Sequence, residues 1–236
     1  MKNTSAQKRF KIVAQPTETT CGPTCLHSVY RYHGDDISLD ETIAAIPENP
    51  DGGTYSVMLA NLALQRGYKA TIYTYNLRVF DPTWKSLKSS ELIEKLRLRL
   101  EHISSKRGRA NLTAYIEFLE LGGKLKFDEL TTKLLAKLLK KGSPVIAGLN
   151  STHLYRNSRV KRTGKDDDVR GEVEGHFVTI FGYKKKDDTI LVADPYQKNP
   201  LSDSLHYAID SQRLINAIML GIVTYDANLL LIERKR

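Results

Sequence analysis

Cysteine is almost absent from this 236-residue chain: there are two, Cys21 and Cys25. So few exclude a secreted domain held by a disulfide framework. No apolar run approaches the roughly eighteen residues that a membrane-crossing helix needs. The stretch Met1 to Gln15 is polar and has no apolar core of a secretory signal. Both absences lead us to expect a cytoplasmic protein without a membrane partner. Internal repeats and low-complexity tracts are also missing, which excludes solenoids and bulk disorder.

What is present is an ordinary globular balance, 41% hydrophobic and 27% charged, in a chain long enough to bury a core without staples. Lys and Arg number 36 against 27 Asp and Glu, a net charge of +9. The excess is scattered over clusters such as Lys106 to Arg109 and Lys184 to Lys186. Aromatic residues do not interleave with these clusters as a nucleic-acid stacking platform requires, so a nucleic-acid partner is disfavoured.

Periodicity places the elements. Phe10 to Ala14 reads as a short strand and Gln15 to Thr20 as a polar turn. A helix begins near Cys21, with Pro23 in its first turn and Leu26, Val29 and Tyr30 at helical spacing. Asp40 to Ile46 reads as a second helix, closed by Pro47 and Pro50. Thr54 looks like the N-cap of a third, which carries Val57, Leu59, Leu62 and Leu64. Lys69 to Tyr75 alternates as a strand.

Three amphipathic helices follow, on Leu92 to Ile103, Leu112 to Leu119 and Leu130 to Leu139. The last has Lys133, Lys137, Lys140 and Lys141 opposite its leucines, a stripe that reads as the wet face of a core-packing helix. Strands then take over at Val145 to Leu149, His176 to Tyr183 and Thr189 to Ala193. Ser211 to Ala217 reads as helical, and Ile218 to Thr224 with Asn228 to Ile232 as a closing hairpin. Early helices and late antiparallel strands predict an α+β fold. The segment 150–174 is charged and unpatterned, a functional or mobile loop.

Chemistry concentrates on a few side chains. Cys21 heads a helix, where the positive end of the helix dipole favours the nucleophilic thiolate. Gly22 beside it would let a substrate backbone approach closely. His176 opens a β-rich run and supplies the base that a cysteine nucleophile needs. Asp194, before Pro195, closes the next strand and is suited to orient the imidazole. If those strands pair, the two side chains share a face only in one register class, for example with Asp194 opposite Val178, which predicts an odd-length loop. Gln15, across a turn from Cys21, would form an oxyanion hole with the Cys21 main-chain N–H.

Each residue alone has a plain structural alternative: an inert thiol, a scaffold histidine, a turn-capping aspartate, a surface amide. His153 is a second candidate base without a partner aspartate. Cys21, Cys25 and His27 do not make a metal site, because two thiols four apart on one helix rarely complete a tetrahedron, so no metal and no cofactor is expected.

Taken in order, these motifs resemble a known family. Gln15 followed by Cys21-Gly22-Pro23-Thr24-Cys25-Leu26 is similar to the nucleophile motif of the bacteriocin-processing, double-glycine-leader cysteine peptidases, a papain-like group. His176-Phe177-Val178 resembles their histidine motif, Asp194-Pro195 their aspartate motif, and 53–75 the helix and strand that follow their nucleophile helix. The likeness spans about 10–80 and 143–200.

The resemblance implies a papain-like cysteine peptidase fold, with N-terminal helices packed on a C-terminal antiparallel sheet. It implies one domain over 1–236, its core at about 10–80 and 143–236 and a helical insertion at about 82–141. It also implies Cys21 as nucleophile, His176 as base and later acid, Asp194 as orienting group, Gln15 as oxyanion donor and Cys25 as packing. The chain departs from the family in having Thr20 where an acid often precedes the nucleophile, and in a longer gap to the histidine. Transporter segments are lacking too, so the double-glycine leader does not carry over as substrate.

The expected activity is cleavage of a peptide or amide bond in a peptide or protein substrate, through an acyl-enzyme on Cys21. An acyl or peptidyl transferase using the same site, and a peptide-binding module without catalysis, remain open alternatives.

Overall fold

The computed structural model describes residues 10–47, 49, 52–140 and 142–235. Pro50, Lys141 and the polar start before Phe10 lie outside them. The order of elements is α1 (Cys21–Tyr32), α2 (Leu39–Ala44), α3 (Ser56–Gln65), β1 (Tyr68–Thr74), α4 (Ser89–Glu101), α5 (Lys106–Glu120), β2 (Lys124–Lys126), α6 (Thr132–Leu139), β3 (Val145–Asn150), α7 (Ser151–Tyr155), β4 (Gly175–Lys184), β5 (Thr189–Ala193), β6 (His206–Asp210), α8 (Ser211–Leu220) and β7 (Asn228–Arg234). Short 3-10 turns cover Pro82–Ser86 and Gly221–Thr224.

The strands form one seven-stranded sheet in the order β2-β1-β7-β3-β4-β5-β6. Among the described residues every strand pairing is antiparallel except β1 with β2. Helices cover both faces. On one face Leu26, Val29 and Tyr30 of α1 pack in a core with Leu59 of α3, Tyr115 of α5 and Phe177 of β4. On the other, Leu135 and Leu138 of α6, Leu154 of α7 and Leu214 of α8 pack against Val178, Ile180 and Val192. All six residues of β3 are buried, because it lies between β7 and β4 under both helical layers. The chain is thus α+β, with antiparallel pairing dominant, as its element order predicts.

Local readings differ in several places. Phe10 to Ala14 has no strand; Phe10 and Ile12 are buried beside the sheet without joining its ladder. The closing hairpin does not form. Ile218 to Leu220 continue α8, and β7 runs alone between β1 and β3. A β-rich run cannot reveal that its partners lie far away in the sequence. Tyr55, not Thr54, occupies the N-cap of α3, without a side-chain bond. The sequence reading omits β2 and β6, and α7 lies within the segment read as a loop.

Candidate active site

The cluster is assembled by α1 and the β4–β5 hairpin. Cys21 is the first residue of α1 and is buried, at 9% exposure. Its neighbour Gly22 has a different role from the one the sequence suggests. A Cβ at that position would lie 2.5 Å from Thr54 Cγ2 and 3.2 Å from the Phe177 ring. Glycine therefore lets the start of α1 seat against α3 and β4, and the vacated space belongs to protein and not to a ligand.

His176 and Asp194 meet through a register device. Lys184 pairs with Thr189, so the loop between the strands, 185–188, has an even length. That register alone would put the two side chains on opposite faces. A β-bulge at Phe181 inserts one residue, and beyond it Thr179 pairs with Ala193 and Ile180 with Val192. One step further, Asp194 comes opposite Val178. The expected odd-length loop is wrong; the bulge supplies the odd residue instead.

The imidazole Nε2 then lies 2.8 Å from Asp194 Oδ1. Asp194 is fully buried, yet each oxygen is satisfied: Oδ1 also accepts from the Tyr196 main-chain N–H at 2.9 Å, and Oδ2 from the hydroxyls of Tyr155 at 2.7 Å and Tyr207 at 2.8 Å. Burial alone would raise this carboxyl's pKa, but the His176 charge and these hydrogen bonds hold it below the ordinary value.

His176 is buried as well, which alone would lower its pKa. The Asp194 charge and hydrogen bond outweigh burial, and hydrogen bonding and charge from Cys21 add to them, raising the ring to about 10. Cys21 therefore lies within interaction range of the ring whose other nitrogen Asp194 holds. Tyr155 and Tyr207 have pKa values pushed far up, by burial first and the neighbouring carboxylate second, so both stay neutral donors.

Gln15 is brought to the same region, because its main-chain N–H donates to Pro195 O at 2.9 Å. Its side-chain Nε2 donates to Thr17 O at 2.9 Å, and its buried Oε1 has no partner among the described residues. Cys25, one turn along α1, is fully buried and bonds Phe177 O at 3.4 Å; desolvation raises its pKa, so it remains a thiol. His153 lies inside α7, where its main-chain N–H donates to the N-cap side chain Asn150 Oδ1 at 2.8 Å, and its ring makes no hydrogen bond among the described residues. No group of three or more His, Cys, Asp or Glu among the described residues is gathered as a metal requires. No described helix is long and apolar enough to cross a membrane.

Sequence reasoning offers Tyr155 only as a packing or pocket-rim residue and does not tie either tyrosine to Asp194. Tyr207 alternates with Ile209 in β6, a five-residue strand whose signal is weak. Tyr155 ends a single-turn helix inside a charged segment, where nothing in the pattern marks it as a partner of that carboxylate. A further omission is Asp226, just before β7. Its carboxyl lies 2.5 Å from where a Cβ on Gly175 would stand, and burial raises its pKa to about 7, against the opposing effects of Thr224, Arg107 and His176.

Two family models match the chain. The Peptidase C39 family matches residues 9–95, and the Peptidase_C39 like family matches residues 118–212. No curated protein matches in sequence. Among solved structures, a protein described as a C39-like peptidase from Bacillus anthracis aligns at 15% identity and TM-score 0.49, over 96% of each chain. A double glycine motif protease from an AMS/PCAT transporter, in complex with the leader peptide, aligns at 14% identity and TM-score 0.46, over 95% of this chain and 91% of that one. The peptidase domain of Streptococcus ComA, a bifunctional ABC transporter of a quorum-sensing pathway, aligns at 11% identity and TM-score 0.45, over 96% of this chain and all of that one. The likeness rests on the two sequence matches, each over less than half of the chain, one carrying the cysteine and the other the histidine and aspartate. By them the chain is similar to the Peptidase C39 and Peptidase_C39 like families.

Proposed function

We propose that the chain cleaves a peptide or amide bond through an acyl-enzyme on Cys21, with His176, Asp194 and Gln15 as its working partners. The observation that carries this is the buried Asp194–His176 pair, with the Cys21 thiol close enough to act on the ring. Asp194 holds Nε2, leaving Nδ1 for the Cys21 side, and keeps the ring protonated through neutral pH.

In this reading the Cys21 thiolate attacks the carbonyl carbon, a C–S bond forms, and the electron pair moves to the carbonyl oxygen. The Cys21 main-chain N–H and the free hydrogen of the Gln15 amide donate to that oxyanion. As the carbonyl re-forms, the C–N bond breaks and the amine leaves with the proton of His176. Neutral His176 then takes a proton from water, which attacks the thioester and releases the acid. An amine in place of water would give transfer. Both cysteines are free thiols, which fits a reducing compartment, and we place the reaction in the cytoplasm.

The test is alkylation by iodoacetamide at pH 7, read by peptide mass mapping, together with cleavage of a mixed peptide library. We expect Cys21 to react far faster than Cys25, His176→Ala to slow it at least tenfold, and Cys21→Ala to abolish cleavage. A Cys21 no more reactive than a thiol in the urea-unfolded chain would overturn the proposal. Products formed with and without an added amine separate hydrolysis from transfer.

A further inference from the structure

The bulge that brings His176 to Asp194 has a second consequence at the far end of β4. Phe181, the inserted residue, lines a cavity of about 700 Å³ between β4, the end of α1 and α6. That volume lies within the range of small-molecule sites. Phe181 is five residues from His176, about 17 Å along the strand, so this cavity is separate from the peptidase centre.

Its lining has two chemistries. One part is aromatic: Phe10 stacks on Phe181 with centroids 5.8 Å apart and planes 16° from parallel, and Tyr32 and Tyr183 stand beside them. The other is cationic. Lys133, Lys137 and Lys140 project from one face of α6 and Lys185 comes from the β4–β5 loop. No Asp or Glu lines the cavity, and none of these four lysines has an ion-pair partner among the described residues.

Three lysines at positions i, i+4 and i+7 lie within a Debye length of one another, so their mutual repulsion is only partly screened. All four lysines are exposed and unpaired among the described residues, so their charge is available to an anion. The chain's own start does not provide it, since the nine residues before Phe10 include Lys2, Lys8 and Arg9 and no acid.

We propose that this cavity binds a nucleoside phosphate, its planar base against the Phe10–Phe181 side and its phosphates among the α6 lysines and Lys185. Aromatic faces accept a flat ring of either polarity, and lysine binds phosphate as a point charge. This site lies outside the peptidase chemistry and does not depend on it.

The test is calorimetric titration of the full chain with ATP at low salt. The variants are K137E/K140E, and K95E/K124E as a control of equal charge change on exposed residues that do not line the cavity. We expect saturable one-to-one binding, weakened at least tenfold in K137E/K140E and less than twofold in K95E/K124E. Inorganic triphosphate should bind at least tenfold more weakly than ATP. Absence of saturable binding to wild type would overturn the proposal, as would an equal loss in the control variant or equal affinity for triphosphate. Tighter binding of poly-glutamate than of ATP would assign the face to an acidic protein partner and overturn it as well.

Discussion

Replacing Asp194 by Asn keeps the shape of the buried cluster and removes its charge. In the wild type, that carboxylate is the main reason His176 is raised to about 10 despite burial. Without it, burial dominates and the ring should titrate below the ordinary value of about 6.5. The change exceeds about 3 units, which at 1.36 kcal/mol each corresponds to about 5 kcal/mol. Breaking a buried ion pair by removing one partner costs about 3–5 kcal/mol, in agreement.

The pH window follows from the two shifts. A histidine raised in the folded state contributes stability that is complete below about pH 6.5 and fades as pH rises toward 10. The lowered carboxyl contributes above about pH 4 and loses its effect as pH falls below that value. Urea unfolding should therefore separate Asp194→Asn from wild type most between about pH 4 and 6.5 and progressively less toward pH 10. The ring itself is followed by NMR titration, with assignment by a His176→Gln variant. A wild-type ring that titrates near 6.5, or an Asp194→Asn ring that still titrates near 10, would refute the electrostatic reading.

The other predictions concern neighbours of that cluster. Tyr155→Phe combined with Tyr207→Phe leaves Asp194 Oδ2 without donors and should cost about 1.5–3 kcal/mol for each lost bond, measured by urea unfolding. Asp226→Asn should stabilise the protein above pH 7, because the wild-type carboxyl must ionise in a buried place. Its raised pKa makes that penalty grow from about pH 4 to 7, reaching at most about 4 kcal/mol. An equal difference from wild type at pH 4 and pH 8 would count against it. Gly22→Ala should destabilise by about 1–3 kcal/mol through the Thr54 methyl, and less in a Thr54→Ser background; equal costs in both backgrounds would show the contact to be irrelevant.

The sequence by itself marked the longer helices, though not α7, and named the candidate reactive groups. Helical spacing marks α1 from Leu26 to Tyr30 and α6 from its leucines, because one apolar stripe of a helix is a local property of consecutive residues. Gln15, Cys21, His176 and Asp194 were nameable from residue type and context. What tertiary structure alone decided is which distant segments touch. Whether β7 would pair with a neighbour in sequence or lie between β1 and β3 depends on partners far along the chain. The adjacency of His176 and Asp194 depends on the Phe181 bulge, which leaves no mark on alternation until both strands are paired. Tyr155 and Tyr207 became partners of one carboxylate only when α7 and β6 packed beside β4 and β5. Pattern along a chain reports how each segment divides water from core, whereas register and long-range pairing are set when those cores combine.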